Sequence, residues 1–557
     1  MLRRIWEAVK SQRSGNYGVA SVCILLAAFA AAPLHAQFTY WDWYDFNCNV
    51  GLPCEPTDIA ELAQGLDGNL YGTTIFGGAH EFGIIFMMTP TGGYTDVWDF
   101  DGVTGEYPLG GLTLASDGNF YGVAPHGGAF NFGTVFRFTP PSSVTVLHDF
   151  DGSDGWNPQS PPVQGPDGNL YGVTFSGNGY SISLANGSFT ALSQGEPNGV
   201  YAPLYLASDG NFYGASSLGG TYNLGTVFRM SPPNGAINVI YNFSGGTDGS
   251  KPVSPVVQFS NGYLYGTTPE TQIGNSGVIY RVTLSGKLQN VHSFSPLGSG
   301  STNADGASPQ AGLLVASDGY MYGVTSAGGT YGFGTIYQYK PGSPFTKLFD
   351  LSAVPGALLG FNYATNLTQH TNGSFYGVTS ELGSEGGGNF YALTAPNLSQ
   401  ILKVAGPIFV LPGGPVEIRG NNLTQVSNIN FGAIAASFRI GSDTQLLATV
   451  PFTAVDAAII AIYNTGLQVQ TVSSVHILPL ITSIDPLSGP VGTVVTVSGG
   501  GFNGATRVTF GAVNATSFTV VSPTTIQATV PSGFTKGKVT VKTRNGKSTS
   551  TQRFVVQ

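Results

Sequence analysis

The sequence predicts an all-β protein in which a seven-bladed β-propeller precedes two immunoglobulin-like β-sandwiches. Two observations indicate the propeller: a repeat of about fifty residues occurs seven times, and helix-period patterning is absent from it. A third indicates the sandwiches, because short alternating strands with a turn about every ten residues fill the chain beyond residue 400. The 80 glycines and the 9% of charged residues suit a turn-rich, exported all-β protein.

The second copy of the repeat shows how one blade is built. The apolar run 112–115 ends at Asp117-Gly118, a strong signal for a hairpin turn. Residues 119–123 alternate around two aromatic side chains, as a half-buried strand does. A third strand is expected over 134–139 and a fourth over 145–150. Together they predict a four-stranded antiparallel meander, the size of one propeller blade.

The ends of the repeat region predict how the ring closes. The seventh copy ends with the aromatic strand 390–393 and lacks a fourth strand, whereas an unassigned strand, 43–46, precedes the first copy. We therefore expect the N-terminal strand to complete the last blade, which leaves no unpaired edge. The hairpin turns that mark the seven copies begin at Asp67, Asp117, Asp167, Asp209, Asn261, Asp318 and Asn372.

The chain is expected to divide into a signal peptide over 1–36, a propeller over 37–400, a first sandwich over 401–478 and a second sandwich over 479–557. In the first segment, basic residues precede the apolar run 19–32, and a small-residue cleavage site follows. No later stretch is long and apolar enough for a membrane span. These features predict a secreted or cell-surface protein, without a transmembrane segment in the mature chain.

Export bears on the two cysteines that remain after the signal peptide. Cys48 and Cys54 are close in sequence, in a loop expected after the closing strand. In an oxidising compartment such a pair is expected to form a disulfide, with free thiols as the alternative. A metal site would need further ligands at useful spacing, and none is near.

Charge separates the two parts of the chain. Residues 37–400 hold 7 Lys and Arg against 25 Asp and Glu, whereas residues 401–557 hold 10 against 4. An acidic propeller argues against nucleic acid and anionic membrane surfaces as its partners. We expect a monomer.

The last sandwich carries the motifs of a known family. Residues 479–493 read Pro-Leu-Ile-Thr-Ser-Ile-Asp-Pro-Leu-Ser-Gly-Pro-Val-Gly-Thr and lead into the strand 494–498. This segment closely resembles the IPT/TIG family, which implies an immunoglobulin-like fold for 479–557. A degenerate IPT/TIG-like copy precedes it over 401–478, with matching strands at 416–420 and 446–451.

The repeat also resembles a known pattern. Gly-Thr-Val-Phe-Arg begins at Gly133 and at Gly225, each preceded by Asp-Gly-Asn-aromatic-Tyr-Gly. This is similar to the GloVer tandem repeat of exported bacterial proteins, over roughly residues 59–393. The resemblance implies a secreted or surface location in a bacterium. It carries no agreed activity, so it transfers no catalytic residues.

The repeated acids and the histidines have structural explanations. The Asp residues of the hairpin turns suit the backbone conformation of the turn. Asn replaces Asp in two copies, a change that a turn tolerates but that would remove a general acid. Calcium at some of these turns is the alternative left open. His148 and His292 occupy a slot that other copies fill with an aromatic side chain. We therefore predict no catalytic, cofactor or metal residues.

The loops between the second and third strands of the blades hold the candidate ligand residues. Aromatic side chains beside Asn and Gly in these loops can stack on sugar rings or on peptide. The alternative is that they wedge against the next blade. The candidate ligand-face aromatics are Phe82, Phe132, Tyr222 and Phe333.

The expected function is extracellular binding or adhesion, with a glycan or a protein as ligand of the propeller face and the sandwiches as spacer or docking units. One rival is a polysaccharide-active enzyme, a glycosidase or lyase, on that face. Another is a purely structural envelope protein. The acids outside the repeat slots, where the enzyme would find its carboxylates, are Glu81, Glu106, Glu196, Glu270, Glu381 and Glu385.

Overall fold

The computed structural model describes residues 39–47, 54–56, 62–192, 197–271, 276–352, 366–379, 386–394, 398–406 and 408–557. The predicted signal peptide and Cys48 lie outside these residues, so the cleavage site and the disulfide stay predictions. Cys54 belongs to a short strand, Cys54–Pro56, that pairs with Leu70–Phe76. It is therefore part of a sheet, whereas the sequence placed it in a loop.

The described residues within 39–394, the repeat region, form seven antiparallel sheets that follow one another along the chain. The first sheet consists of Cys54–Pro56, Ala63–Gln64, Leu70–Phe76, Ile84–Met88 and Tyr94–Asp99. The second consists of Thr113–Leu114, Phe120–Ala124, Thr134–Thr139 and Ser143–Asp149. The third consists of Val163–Gln164, Leu170–Val173, Gly179–Ile182 and Phe189–Ala191. The fourth sheet consists of Tyr205–Leu206, Phe212–Ser216, Thr226–Ser231 and Ala236–Asn242. The fifth consists of Val257–Gln258, Leu264–Thr268, Val278–Val282 and Leu288–Ser293. The sixth consists of Leu314–Val315, Met321–Thr325, Thr335–Tyr339 and Thr346–Asp350.

The seventh sheet joins the two ends of the repeat region. Its strands are Thr368–Gln369, Phe375–Val378, Gly386–Thr394 and, as the outer strand, Thr39–Asn47. The last of these, the closing strand, runs antiparallel to Gly386–Thr394 with Thr39 opposite Thr394. The predicted pairing of the N-terminal strand with the seventh copy of the repeat is thus confirmed.

The hairpin turns show why Asp-Gly recurs. The Asp67 carboxylate accepts hydrogen bonds from the Asn69 backbone N–H at 3.1 Å and from the Tyr71 hydroxyl at 2.9 Å. Gly68 follows with φ 84°, a conformation that favours glycine. Burial and the neighbouring Asp67 raise the pKa of Tyr71 above its usual range. The tyrosine therefore stays neutral and fixes the turn, and the same bonds recur at Asp117, Asp167 and Asp209.

The core of the repeat region lies between successive sheets. Tyr71 of the first sheet packs on Phe120 of the second, with ring centroids 4.6 Å apart, inside a cluster that also holds Phe136. The closing strand contributes Phe46 to the equivalent cluster between the last sheet and the first. Each sheet is therefore stabilised mainly by its two neighbours.

Two β units follow the repeat region. The first consists of Lys403–Val404, Phe409–Val410, Pro415–Arg419, the 3-10 helix Leu423–Gln425, Val426–Phe431, Ile434–Ala436, Phe438–Ile440, Gln445–Thr449, Ile459–Tyr463, Gln468–Gln470 and His476–Ile477. The second consists of Leu480–Asp485, Ser488–Gly489, Val494–Gly500, Ala505–Phe510, Val513–Asn514, Phe518–Ser522, Thr525–Thr529, Lys536–Thr543 and Lys547–Val556. Each unit encloses its own apolar cluster between its sheets.

The first C-terminal unit packs on the side of the repeat region where the hairpin turns lie. The Thr444 hydroxyl donates to the Leu66 carbonyl at 2.7 Å, and the Arg419 guanidinium, nine-tenths buried, donates to the Gln64 carbonyl. Burial lowers the pKa of Arg419 to about 10, so the group keeps its charge at neutral pH. This contact covers the hairpin-turn side and leaves the opposite side uncovered by the C-terminal units.

Candidate functional site

The uncovered side, which we call the open face, consists of the loops between the second and third strands of the sheets and the loops that lead from one sheet to the next. The first kind is held by the end of the fourth strand. Asp149 accepts a hydrogen bond from the Ala129 N–H at 2.9 Å, and Asn242 accepts one from the Thr221 N–H at 2.9 Å. These bonds give the loops the same shape in several sheets.

Two adjoining residues complete the loops of the second and fourth sheets. Asn131 has φ 60°, and its side-chain oxygen accepts a hydrogen bond from the Gly127 N–H at 3.0 Å; Asn223 repeats both features. The next residue, Phe132, offers its carbonyl to the Asn157 N–H at 2.9 Å, which ties the loop to the one leading to the third sheet. In these described loops the open face is therefore a fixed surface whose side chains are presented by hydrogen-bonded backbone.

Aromatic side chains at the loop tips extend into solvent. Phe130 and Tyr222 are each 59% exposed, and Tyr331 in the same slot is 58% exposed. A large apolar side chain with more than half of its surface in water adds little to folding, so this slot is available for contact with a ligand.

The four predicted ligand-face residues fall into two groups. Tyr222 and Phe132 are exposed. Phe82 and Phe333 are half-buried: Phe82 packs edge-on against Tyr107 at 5.9 Å, and Phe333 packs against a core cluster. Phe82 and Phe333 therefore pack against the neighbouring loop or sheet, which is the alternative to ligand contact that the sequence left open.

The third sheet interrupts the regular pattern of the open face. Only residues 174–178 separate its second and third strands, whereas the second sheet has 125–133 there. Three aromatic side chains from different segments meet at this place. Trp156 lies 5.6 Å from Phe175 between ring centroids, and Phe175 lies 5.2 Å from Tyr201. Trp156 is 41% exposed, and Phe175 and Tyr201 are half-buried.

We call the three side chains of Trp156, Phe175 and Tyr201 the aromatic cluster. Hydrogen bonds hold the backbone around them. The Phe175 N–H donates to the Asn157 carbonyl at 3.2 Å, and its carbonyl accepts from the Gly199 N–H at 2.8 Å. Burial raises the pKa of the Tyr201 hydroxyl, so it stays a neutral donor and acceptor. The cluster therefore offers a fixed apolar surface with a polar group at its edge. None of its three members is among the ligand-face residues predicted from the sequence.

The acids outside the repeat slots are not brought together as a described catalytic pair. Glu270 forms an ion pair with Lys251 at 3.0 Å, and the Glu106 backbone forms a bridge with His126. Glu81 is exposed in its loop. The described residues contain no group of three or more His, Cys, Asp or Glu that could hold a metal ion. The remaining three, Glu196, Glu381 and Glu385, lie outside the described residues.

The two histidines of the aromatic slot pack as the sequence predicts. His148 stacks on Phe189 with 3.4 Å between ring centroids, and its Nε2 lies 2.6 Å from Asp154 Oδ2. His292 stacks on Phe345 in the same way and contacts Asp305 at 3.0 Å. The adjacent acid is an additional feature that the slot comparison did not predict.

Two cavities of about 360 and 280 Å³ lie between the innermost strands of the repeat region and the first C-terminal unit. The wall of the larger cavity is mainly apolar, that of the smaller is about evenly polar and apolar, and Lys403 and Arg419 line both. Nearby, burial lowers the pKa of His370 to about 4, so it is neutral at pH 7. Among the described residues, no helix is long and apolar enough to cross a membrane.

Fold and face together define a tandem-repeat, all-β protein that presents loop aromatics on one side. A family model described as the Gloeobacter/Verrucomicrobia repeat matches residues 34–186 and 199–406, and the chain belongs to this family. The IPT/TIG domain model matches residues 479–556, so the second C-terminal unit is an IPT/TIG domain. Both predicted resemblances are confirmed.

Three solved structures are similar to this chain at low sequence identity. Virginiamycin B lyase from Staphylococcus aureus is 15% identical, with a TM-score of 0.43, over 64% of this chain and 99% of that one. Oligogalacturonate lyase from Vibrio parahaemolyticus is 11% identical, with a TM-score of 0.41, over 65% and 98%. The surface glycan-binding protein PbSGBP-B from Prevotella bryantii is 17% identical, with a TM-score of 0.20, over 28% and 42%. A search of curated proteins finds no match.

Proposed function

We propose that this chain is an exported, monomeric binding protein, and that the aromatic cluster of its open face recognises an extracellular glycan. The seven sheets would form one closed seven-bladed propeller, with the two C-terminal sandwiches as spacer or docking units. The observation that carries the proposal is the position of Trp156, Phe175 and Tyr201, which meet where the repeat is shortened.

A break in the repeat matters because the scaffold does not require it. The loops of the regular sheets are fixed by one recurring set of bonds, whereas the aromatic cluster combines the shortened loop of the third sheet with the two linker loops on either side of that sheet. Aromatic faces with a polar group at the edge match the apolar faces and hydroxyl groups of a sugar ring. The exposed loop aromatics Phe130 and Tyr222 would extend the surface for a longer chain of sugars.

The charge of the repeat region narrows the ligand class. With 7 Lys and Arg against 25 Asp and Glu in residues 37–400, this part of the chain repels anions. We therefore propose a neutral glycan as the ligand of the open face. We further propose that the protein is not an enzyme and binds without a resident cofactor or metal, since the aromatic cluster offers stacking surface and contains no carboxylate.

Replacing Trp156 with Ala is expected to weaken binding of the glycan about 30-fold, because central aromatic anchors contribute about 2 kcal/mol or more to binding. The ligand would first be found by screening mature protein, residues 37–557, on a glycan array with calcium and with chelator. Affinity of wild type and variant for the best glycan would then be measured by calorimetry.

Trp41→Ala is the matched control, because Trp41 is an exposed tryptophan on the closing strand, away from the open face. It should leave affinity unchanged. Equal affinity of Trp156→Ala and wild type would exclude the aromatic cluster as the site. Loss of binding in chelator would show that calcium takes part, and degradation of the bound glycan would show an enzyme instead of a binding protein.

A further inference from the structure

The positive charge of the C-terminal part lies almost wholly in the IPT/TIG domain. Residues 401–478 hold three cations and three acids, whereas 479–557 hold seven cations and one acid, Asp485. Six of the seven cations are exposed on the strands Ala505–Phe510, Lys536–Thr543 and Lys547–Val556, which are neighbours in one sheet. These six, which we call the basic face, are Arg507, Lys536, Lys538, Lys542, Lys547 and Arg553.

The strand register sets the cations of the basic face beside one another. Arg507 lies opposite Lys542, and Lys542 lies opposite Lys547 on its other side. Four residues before Lys542 on the same strand, Lys538 lies opposite Arg553. Like charges directly opposite each other destabilise an antiparallel pair. The fold of the domain therefore gives no reason for this arrangement, and an anionic partner would remove the repulsion.

The basic face is not neutralised by the described part of the chain. None of its six cations forms an ion pair with a described residue. The seventh cation of the domain, Arg544, differs: it pairs with Asp456 of the first C-terminal unit at 2.8 Å. The domain thus uses one cation to join its neighbour and presents six to solvent.

We propose that the basic face binds an anionic polysaccharide, one that carries about one carboxylate per sugar. From Lys536 to Lys542 the strand extends about 20 Å, and outward side chains on it repeat about every 6.7 Å. Such spacing suits a sparsely charged chain lying along the strands. It suits duplex DNA poorly, because DNA carries one charge per about 1.7 Å of its axis.

Two features favour the polysaccharide over other polyanions. The outward side chains of Lys536–Thr543 and Lys547–Val556 include no aromatic ring, so bases of a single-stranded nucleic acid would find no stacking surface there. The rest of the chain is acidic and would repel a densely charged polymer or an anionic bilayer more than a sparsely charged one. In this arrangement the IPT/TIG domain is a docking unit for an acidic glycan.

The test measures binding of mature protein to polygalacturonate at low salt. Replacing the opposed pair with Lys538→Gln and Arg553→Gln is expected to weaken binding at least tenfold. It should also make the slope of the logarithm of the binding constant against the logarithm of the salt concentration shallower by about two. The matched control is Lys287→Gln with Arg439→Gln, which removes the same charge at exposed positions elsewhere and should change neither quantity.

Each other outcome has a defined meaning. Unchanged affinity of the Lys538 and Arg553 variant for polygalacturonate would overturn the proposal, as would an equal loss of its affinity for uncharged dextran. Tighter binding of single-stranded DNA or of anionic vesicles would assign the face to that partner instead. Melting temperatures would verify folding, and the neutral-glycan affinity of the Trp156 site should be unaffected, which separates this proposal from the proposed function.

Discussion

Phe46→Ala is expected to lower the free energy of unfolding by about 3–5 kcal/mol, since truncating a buried Phe removes its transfer free energy and leaves a cavity. Phe46 is 0% exposed and packs edge-on against Phe86, with ring centroids 5.4 Å apart. It joins the last sheet to the first, because the closing strand belongs to one and Phe86 to the other. Urea unfolding would measure the loss.

Phe130→Ala is the control, because it makes the same change at a side chain that is 59% exposed. It should alter stability by no more than about 0.5 kcal/mol. A Phe46→Ala protein as stable as Phe130→Ala would mean that the closing strand adds little and that contacts among the other sheets stabilise the repeat region. Loss of stability in both variants would indicate an effect of Phe removal unrelated to closure.

The closing strand and the hairpin turns are the features that the sequence predicted well, and for a common reason. The unassigned strand 43–46 and the incomplete seventh copy are complementary defects in one repeat, so comparison of the copies reveals the pairing. The Asp-Gly turns depend on bonds within four residues, such as that between Tyr71 and Asp67. Local bonds and repeat comparison are both visible in a single sequence.

The exposure of the loop aromatics was harder to predict. Phe132 and Phe333 occupy the same slot, yet Phe132 is exposed whereas Phe333 packs on a core cluster. The neighbouring loops and sheets, which differ between copies, determine this. Repeat comparison shows which residue types share a slot, but it does not show what covers each one.

Neither the aromatic cluster nor the burial of Arg419 could be predicted from the sequence. Trp156, Phe175 and Tyr201 come from three loops that are separate in the sequence, and the fold brings their side chains together. Arginine is usually exposed, and nothing near Arg419 in the sequence indicates that it would be buried against Gln64, 355 residues away. Packing of the first C-terminal unit on the hairpin-turn side determines which face is left for a ligand.

The joint between the two C-terminal units depends on one carboxylate. Asp456 of the first unit accepts hydrogen bonds from the Asn545 side chain at 2.9 Å and from Arg544 at 2.8 Å, both of the second. Within its own unit it accepts from the Ile477 N–H at 2.9 Å and lies 3.0 Å from His476 Nδ1. Burial alone would raise the pKa of Asp456, but these partners outweigh it and hold the pKa at about 2.

Asp456→Asn is therefore expected to lower the stability of the C-terminal units by about 2–3 kcal/mol at pH 7, because hydrogen bonds to a charged group are lost and Arg544 is left without its partner. The folded pKa lies below the ordinary value near 4, so the stabilisation from ionised Asp456 is fully present above pH 4. It is lost as the pH falls towards 2. Thermal unfolding of wild type and variant should thus differ most at neutral pH and converge between pH 4 and pH 2.

The control is Asp485→Asn, at an exposed acid of the IPT/TIG domain, which should unfold at the same temperature as the wild type at every pH. A constant difference between wild type and Asp456→Asn across this range would show that shape, and not charge, accounts for the contribution of Asp456 to the joint.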